Sequence, residues 1–361
     1  MSISSNDYMP VLKWRQGEYQ GLMRLHDPVK DRTVPLIEVT PPDFDFELQK
    51  PTKTIDEHIG TFASRLDKKW GKRRALLDCS LLPPAMRMSD GRHPMLYLGQ
   101  EIVATGRSII PVVRLTSDPD YRQAVYWVDA QTLGGVALRC NLDEAVDPDF
   151  DTQVDDLVQE LGIDLAGLDL VLDLAAPTWE PESGLVALIM MALSGANTFA
   201  QARSVTIVGS SFPDSMGMVT GPIQFWPRRE WAVYRALLAA LPLGARRPGF
   251  GDYTIAGPGF AQGDMRLLKP SATIRYACND GWIIAKGSNV RDNGFAQYQT
   301  CSGTITTSPL FLGAHFSRGS AYIDGCRLGT EKTGNLTTWR WVGTNQHITK
   351  AVSDLASLSW L

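Results

Sequence analysis

Short apolar runs alternate with amphipathic segments along the first 257 residues. Apolar runs of this length that are separated by helical periodicity predict parallel strands with crossover helices. The predicted strands are Met9–Trp14, Val34–Val39, Ala75–Ser80, Ile109–Leu115, Val136–Asn141, Leu168–Leu174, Val205–Ser210 and Phe250–Ile255. Eight such units in about 250 residues are typical of a closed (β/α)8 TIM-like barrel, an α/β fold.

Each predicted strand delivers a polar residue at its C-terminal end. If Leu36 faces the inside of the barrel, then alternation along the strand places Glu38 there too. The carboxyl ends of all eight strands meet at one end of a barrel, which we call the mouth, and such folds keep their chemistry there. The strand-end residues are Lys13, Glu38, Asp78, Arg114, Arg139, Asp173, Ser210 and Asp252.

The pattern changes after Pro258, where short alternating runs and turn signals replace the strand and helix units. Asn279-Asp280-Gly281 between two alternating runs indicates a β-hairpin. The sequence therefore predicts a barrel over 1–257 and a β-rich C-terminal extension over 258–361 that ends in a helix and packs on the barrel. The predicted elements of the extension are strands Ala272–Cys278, Trp282–Lys286, Thr304–Leu312 and Ser320–Asp324, and helix Asn345–Leu358.

Composition narrows the classes of partner. The net charge is −4 with both signs interspersed, so charge does not indicate direct nucleic-acid binding or an anionic membrane surface. The longest uncharged apolar stretch, Gly184–Ala200, is too short and too polar to span a bilayer. Met1–Pro10 has no features of a secretory signal, so we expect a cytoplasmic protein.

Several familiar catalytic motifs are missing from the sequence. The five cysteines are scattered and no histidine falls at a predicted strand end, which disfavours a zinc site. Ser210 follows a strand without a GxSxG elbow, and Gly257-Pro258-Gly259 has no GxGxxG pattern. Serine-hydrolase and dinucleotide-binding chemistry therefore have little support.

The mixed charges at the mouth allow three interpretations. They form a structural salt-bridge network, or a carboxylate site for a hard cation such as Mg²⁺ or Mn²⁺, or a metal-free acid/base pair of the glycosidase kind. In the second case Glu38, Asp78 and Asp173 are the predicted metal ligands. The predicted catalytic groups are those three residues together with Asp252.

Short motifs spread over nearly the whole chain carry a resemblance to a known family. They are Met9 to Glu18, Val34 to Glu38, Phe250 to Tyr253, Ile274-Arg275-Tyr276 running to Trp282, and Trp339-Arg340 followed by Gly343 to His347. This set resembles the beta-protein family first named from a T-even bacteriophage. Because members occur in phages and prophages, the resemblance implies a part in phage and host conflict, but no reaction. It also implies that the C-terminal motifs fold over the mouth.

Together these observations favour a polar, anion-binding pocket at the mouth. The leading hypothesis is metal-assisted hydrolysis of a phosphoester or nucleotide, with a small anionic ligand held by cationic and polar side chains. The alternative is a non-catalytic barrel scaffold that binds a protein partner in phage defence or counter-defence. The predicted ligand-binding residues are Lys13, Arg114, Arg139, Ser210, Tyr253 and Arg275.

Overall fold

A computed structural model describes residues 3–260 and 267–358 of the chain. The parts of the two predicted regions that fall on 1–2, 261–266 and 359–361 lie outside the described residues. The strands of the described residues are β1 Tyr8–Lys13, β2 Leu36–Glu38, β3 Phe44–Asp45, β4 Lys50–Pro51, β5 Leu76–Asp78, β6 Ile110–Val113, β7 Val136–Cys140, β8 Leu168–Asp173, β9 Ser204–Gly209, β10 Ile223–Pro227, β11 Gly249–Asp252, β12 Ser271–Ala277 and β13 Gly281–Asn289.

Helices follow most of the barrel strands and also make up much of the C-terminal extension. None of the helices in 3–260 and 267–358 has the length and apolarity needed to cross a membrane. They are α1 Gln16–Met23, α2 Asp27–Lys30, α3 Ile55–Ile59, α4 Phe62–Trp70, α5 Pro94–Ala104, α6 Pro119–Thr132, α7 Leu142–Ala145, α8 Phe150–Glu160, α9 Glu182–Gly195, α10 Asn197–Gln201, α11 Arg229–Ala240, α12 Val290–Asn293, α13 Gln297–Thr306, α14 Arg318–Leu328 and α15 Leu336–Ser357.

Eight parallel strands close into a barrel in the order β1-β11-β9-β8-β7-β6-β5-β2, which confirms the predicted TIM-like fold. The register pairs Lys13 with Glu38 and Glu38 with Asp78 across neighbouring strands. Side chains therefore reach the mouth at the same level. Below them the inside of the barrel is filled by apolar side chains, including Val11, Leu36 and Val112, so the barrel has a packed core rather than a pore.

The C-terminal extension contains the predicted hairpin and final helix but not the two further predicted strands. Strands β12 and β13 pair in antiparallel fashion, and β10 from the barrel half adds a third strand to their sheet. The predicted strands Thr304–Leu312 and Ser320–Asp324 are wrong, because the first falls on the end of α13 and the turn after it, and the second lies within α14. Their buried residues recur with helical spacing, as at Tyr298, Cys301 and Ile305, and this packing outweighs the weak helix propensity of Thr and Ile.

Helix α15 joins the extension to the barrel. Its residues Ile348, Ala351 and Leu355 belong to the main apolar core that lies between the barrel strands and the surrounding helices. Helix α15 also lies directly on α1, where the amide Nδ2 of Asn345 donates to the carbonyl oxygen of Gly21 at 3.1 Å. These contacts link both halves of the chain, and the predicted boundary between residues 257 and 258 stays a prediction.

Two glycines on α1 permit the close approach of α15. A Cβ atom added to Gly17 would lie 2.4 Å from Cγ of Arg340, and one added to Gly21 would lie 2.9 Å from Cγ2 of Thr344. Real Cβ atoms do not approach other heavy atoms this closely, so a side chain at either position forces the helices apart.

Replacing Gly17 by Ala is therefore expected to destabilise the protein by about 1–2 kcal/mol. The overpacking penalty is roughly 1–3 kcal/mol, and the better helix propensity of Ala returns up to about 1 kcal/mol. Urea unfolding measures the difference. The matched control is Gly303→Ala in α13, where an added Cβ meets no atom within 4 Å. The control should be at least as stable as the wild type, and equal stability of both variants would contradict the packing argument.

Candidate functional site

The guanidinium of Arg139 lies at the centre of the mouth. Its Nε donates to Oδ2 of Asp173 at 2.9 Å, and its Nη1 donates to Oε1 of Glu38 at 2.9 Å and to Oδ2 of Asp78 at 2.7 Å. Its Nη2 donates to the hydroxyl of Tyr253 at 2.7 Å, and that hydroxyl donates to Oδ2 of Asp173 at 2.6 Å. Four strand-end residues predicted from the sequence thus meet in one place, and we call these five residues the mouth cluster.

Charge pairing fixes the ionisation of this cluster. Burial acts to lower the pKa of Arg139, but the carboxylates of Asp173, Asp78 and Glu38 and the Tyr253 hydroxyl keep it well above its usual value. Burial acts to raise the pKa of Asp78, but the guanidiniums of Arg139 and Arg114 and hydrogen bonds from Ser80 leave it below its usual value. Arg139 and Asp78 are therefore both charged at neutral pH.

Two further predicted cations lie at the edge of the mouth cluster. The Nζ of Lys13 is 3.4 Å from Oε2 of Glu38 and 3.3 Å from the carbonyl oxygen of Pro258. The Nη2 of Arg114 is 3.6 Å from Oδ2 of Asp78, and its side chain is 32% exposed. Lys13 and Arg114 thus lie beside the mouth cluster, as their strand-end positions predict.

The structure separates Asp252 from the other three carboxylates. Asp252 alternates along the chain with Gly249, Gly251 and Tyr253, so it faces the opposite side of the strand from them. Tyr253 is the residue that enters the mouth. Asp252 points outward between the barrel and α15, so its expected place in the ring is wrong. The predicted ligand-binding residue Ser210 makes a different contact, since its Oγ donates to the carbonyl oxygen of Ala256 at 3.0 Å.

Asp252 belongs instead to a buried group of polar side chains, which we call the outer cluster: Tyr8, Arg228, Asp252, His347 and Asp354. Asp252 accepts hydrogen bonds from the hydroxyl of Tyr8 and, at 2.8 Å, from Nε2 of His347. An indole can only donate, so the bond from Nε1 of Trp282 to Nδ1 of His347 makes Nδ1 an acceptor and places the ring proton on Nε2. Arg228 donates to Asp354 at 2.6 Å. The outer cluster holds α15 against the barrel.

The donor set of the mouth cluster does not fit a metal ion in this arrangement. Arg139 already binds Glu38, Asp78 and Asp173 through their inward oxygens at 2.7–2.9 Å. Within residues 3–260 and 267–358 no group of three histidine, cysteine or carboxylate side chains is arranged to hold a metal ion. A metal role for the three carboxylates stays a prediction.

A large cavity lies beside the mouth cluster, between the barrel loops and the C-terminal extension. Its volume is about 860 Å³. We call this cavity the cationic pocket. Lys13 lines it and also lies at the edge of the mouth cluster. Among the described residues its lining carries two carboxyl groups, Glu18 and Asp214, and a larger set of cationic side chains, Lys13, Arg15, Lys269, Arg275, Lys286 and Arg340.

Two arginines of the cationic pocket lack a carboxylate partner among the described residues. Nη1 of Arg275 and Nη1 of Arg340 both donate to the carbonyl oxygen of Ile255, at 3.3 and 3.4 Å. The Nε of Arg275 is buried without a hydrogen-bond partner. Burial and the neighbouring Arg340 guanidinium lower the pKa of Arg275 to about 9. An anion bound here would relieve both effects.

Two helices begin at the cationic pocket. The first turn of α1 lines it through Gln16 and Gly17, and its N-cap residue Arg15 makes no capping bond with its side chain. Leu336 and Thr337 at the start of α15 line it as well. Asn335 already caps the Thr338 amide of α15, but the positive end of each helix dipole still favours an anion, so the backbone adds to the side-chain charge.

Sequence reasoning placed Lys13 and Arg275 among the ligand-binding residues but missed Arg15, Lys269, Lys286 and Arg340. These four lie on different elements or loops, and no spacing rule connects them. A signal was nevertheless present, because Arg15 and Arg340 stand inside the motifs that carry the family resemblance. Lys286 had no such signal beyond its place at the end of a predicted strand.

Comparison with known proteins supports the resemblance. A search of curated proteins returned no match. The family model described as Beta protein matches residues 8–353, nearly the whole chain, and this span includes the mouth cluster, the described lining of the cationic pocket and all of the outer cluster except Asp354. The chain belongs to the Beta protein family.

Proposed function

We propose that this protein binds a phosphate-bearing small molecule, of the nucleotide class, in the cationic pocket. The observation that carries the proposal is the pair of guanidiniums, Arg275 and Arg340, that face the cavity without a carboxylate partner among the described residues. Guanidiniums recognise phosphate through parallel hydrogen bonds. A cationic side chain without a partner at the wall of a cavity is unfavourable, and a bound anion neutralises its charge. The free pocket therefore favours the binding of an anion.

The size and lining of the cationic pocket support a nucleotide rather than a lone inorganic ion. Ligand cavities of roughly 300–1,000 Å³ accommodate drug-sized molecules, and this one measures about 860 Å³. Aromatic rings of Phe212 and Phe260 line it, with the guanidiniums of Arg275 and Arg15 packed on them at 5.4 and 5.1 Å. Phe212 is buried, so the partly exposed ring of Phe260 is the one that suits the stacking of a base beside the phosphate.

In this proposal the mouth cluster supports the pocket rather than binding the ligand. Every nitrogen of the Arg139 guanidinium is hydrogen-bonded within the mouth cluster. Lys13, in contrast, contacts Glu38 and also lines the pocket. Hydrolysis of the bound phosphoester, assisted by Mg²⁺ or Mn²⁺, would require the ligand's own phosphates to supply most of the metal contacts. We place this activity in the cytoplasm and assign it a part in phage and host conflict, the second of which the resemblance implies.

Calorimetric titration with the nucleoside mono-, di- and triphosphates tests the proposal, with and without Mg²⁺ or Mn²⁺. We expect at least one nucleotide to bind with micromolar affinity and its parent nucleoside to bind far more weakly, because the phosphate supplies the recognition. Product analysis of the same mixtures detects hydrolysis. Absence of binding across the panel would contradict the proposal and favour the scaffold that binds a protein partner.

Replacing Arg275 or Arg340 by Met is expected to weaken nucleotide binding by about 10–100-fold each. A charge-assisted hydrogen bond contributes roughly 1.5–3 kcal/mol, and Met keeps most of the side-chain volume. Arg235→Met is the matched control, because it removes one surface cation that pairs with Asp280 outside the pocket. Equal affinities for all three variants would contradict the assignment of the pocket.

A further inference from the structure

Glu18 is a buried carboxyl group inside the cationic pocket. It lies in the first turn of α1, its residue is 6% exposed, and it lines the cavity. Its Oε2 atom is buried without a hydrogen-bond partner. Buried carboxyl oxygens are almost always hydrogen-bonded, so an unpartnered one at the wall of a cavity indicates a missing contact.

The surroundings of Glu18 are charged on every side. Burial raises its pKa above the usual value of 4.5, an effect opposed by Arg340, Lys13 and Arg15 and reinforced by the carboxylate of Glu38. Arg275 on β12 also interacts with it electrostatically. Despite these cations, none lies close enough to form a salt bridge with Glu18 within the described part of the chain, so its carboxyl group lies in the pocket wall without an ion-pair partner.

The ligand proposed above presents only acceptors at its phosphate group once that group is fully ionised, above its second pKa of about 6. An ionised carboxylate also presents only acceptors, so a charged Glu18 would repel the phosphate. A neutral carboxylic acid carries one O–H donor and removes that repulsion. Because burial closes off Oε2, such a donor would act from the other carboxyl oxygen, Oε1.

We propose that Glu18 binds the phosphate group as a neutral carboxylic acid, so that the cationic pocket takes up the ligand and one proton together. This inference rests on the proposed function. The proton comes from solvent and is added to the carboxylate, the O–H group then donates to a phosphate oxygen, and no bond within the ligand breaks. The consequence is a binding affinity that falls as the pH rises.

Inorganic pyrophosphate is the probe, because it carries the phosphate groups without a base. Its affinity is measured by calorimetry between pH 5.5 and 8, below the pKa of about 9 of Arg275. Glu18→Gln keeps a neutral donor at every pH. Pyrophosphate itself also titrates in this range, but that titration affects the wild type and the variant equally. The ratio of the two affinities therefore reports the protonation of Glu18 alone. Glu101→Gln on the exposed face of α5 is the matched control.

We expect the wild type to lose affinity relative to Glu18→Gln by up to about tenfold per pH unit, with proton uptake seen as a buffer-dependent heat that the variant lacks. Parallel affinity curves for the two proteins would overturn the role of Glu18 and leave the proposed function standing. Carboxyl carbon NMR of the ligand-free protein gives an independent check, and titration of Glu18 at or below 4.5 would also overturn it. Failure of the wild type to bind pyrophosphate and every nucleotide would remove both proposals.

Discussion

Replacing Arg139 by Met is expected to destabilise the protein by roughly 3–5 kcal/mol. Removal of one partner from a buried ion pair costs about this much, because the remaining charge stays buried and unpaired. Here one guanidinium serves three carboxylates, those of Glu38, Asp78 and Asp173, all within 2.9 Å. Met fills most of the volume, so the change reports charge and hydrogen bonding more than packing. Urea unfolding at pH 7 measures the difference.

The pH dependence of this loss follows from the carboxylates. In the wild type the pKa of Asp78 lies below its usual value, because Arg139 and Arg114 outweigh the effect of burial. Its contribution to stability is therefore present above the unfolded-state pKa and disappears as the pH falls through the folded-state pKa. In the variant, burial acts with less opposition and favours the neutral acid. The deficit of Arg139→Met should shrink as the pH is lowered from 7 toward 4.

Arg114→Met serves as the control for this experiment. Its guanidinium lies 3.6 Å from Asp78 and its side chain is 32% exposed. Partly exposed pairs of this kind are worth less than about 1 kcal/mol, so a small loss is expected. A similar loss for both arginines, or a loss for Arg139→Met that is independent of pH, would show that the mouth cluster does not depend on its central charge.

Replacing Asp252 by Ala is the second large effect, with an expected loss of about 3 kcal/mol. The side chain accepts from the hydroxyl of Tyr8, from Nε2 of His347 and from the amide of Thr254. Each buried donor left without an acceptor costs about 1–3 kcal/mol, part of which a water in the vacated space recovers. Because His347 lies on α15, the loss should also loosen that helix, which limited proteolysis measures.

The control for Asp252 is Glu160→Ala, which removes a carboxylate from a half-exposed pair with Arg122. A loss below about 1 kcal/mol is expected there. If Asp252→Ala were no less stable than the control and α15 stayed protected from protease, the outer cluster would not be what holds the C-terminal helix on the barrel.

The sequence predicted the barrel well because one rule covers all of its strands. Alternation along a strand and the common direction of parallel strands place Glu38, Asp78, Arg139 and Asp173 at one level, and the structure brings these four together. What the rule could not supply was the pairing. Arg139 lies at the centre and the other three surround it, and this depends on side-chain length and on the closed shape of the barrel.

Asp252 shows why the same rule failed on the last strand. The residues before it include Gly249 and Gly251, which carry no side chain and so give no apolar signal of the inward face. The inward face is decided by the register with β9 and β1, and that register makes Tyr253 the inward residue. The sequence of a glycine-rich strand therefore does not show which of its two faces points into the barrel.

The cationic pocket was beyond sequence reasoning for a different reason. Its cations come from separate elements: Arg15 precedes α1, Arg275 lies on β12, Lys286 on β13 and Arg340 on α15. Only the packing of the extension on the barrel brings these positions together. Arg15, Arg275 and Arg340 all lie within the family motifs. The motifs do not show, however, that these residues lie close together in space.

The glycine contact between α1 and α15 has a consequence for synthesis of the chain. The bond from Asn345 to Gly21 joins residues 324 positions apart. A ribosome makes roughly 5–20 residues per second, so α1 waits many seconds after it emerges before its partner exists. During that time the first unit of the barrel has an open flank, and the cationic pocket cannot form. Ligand binding therefore reports on completed chains only.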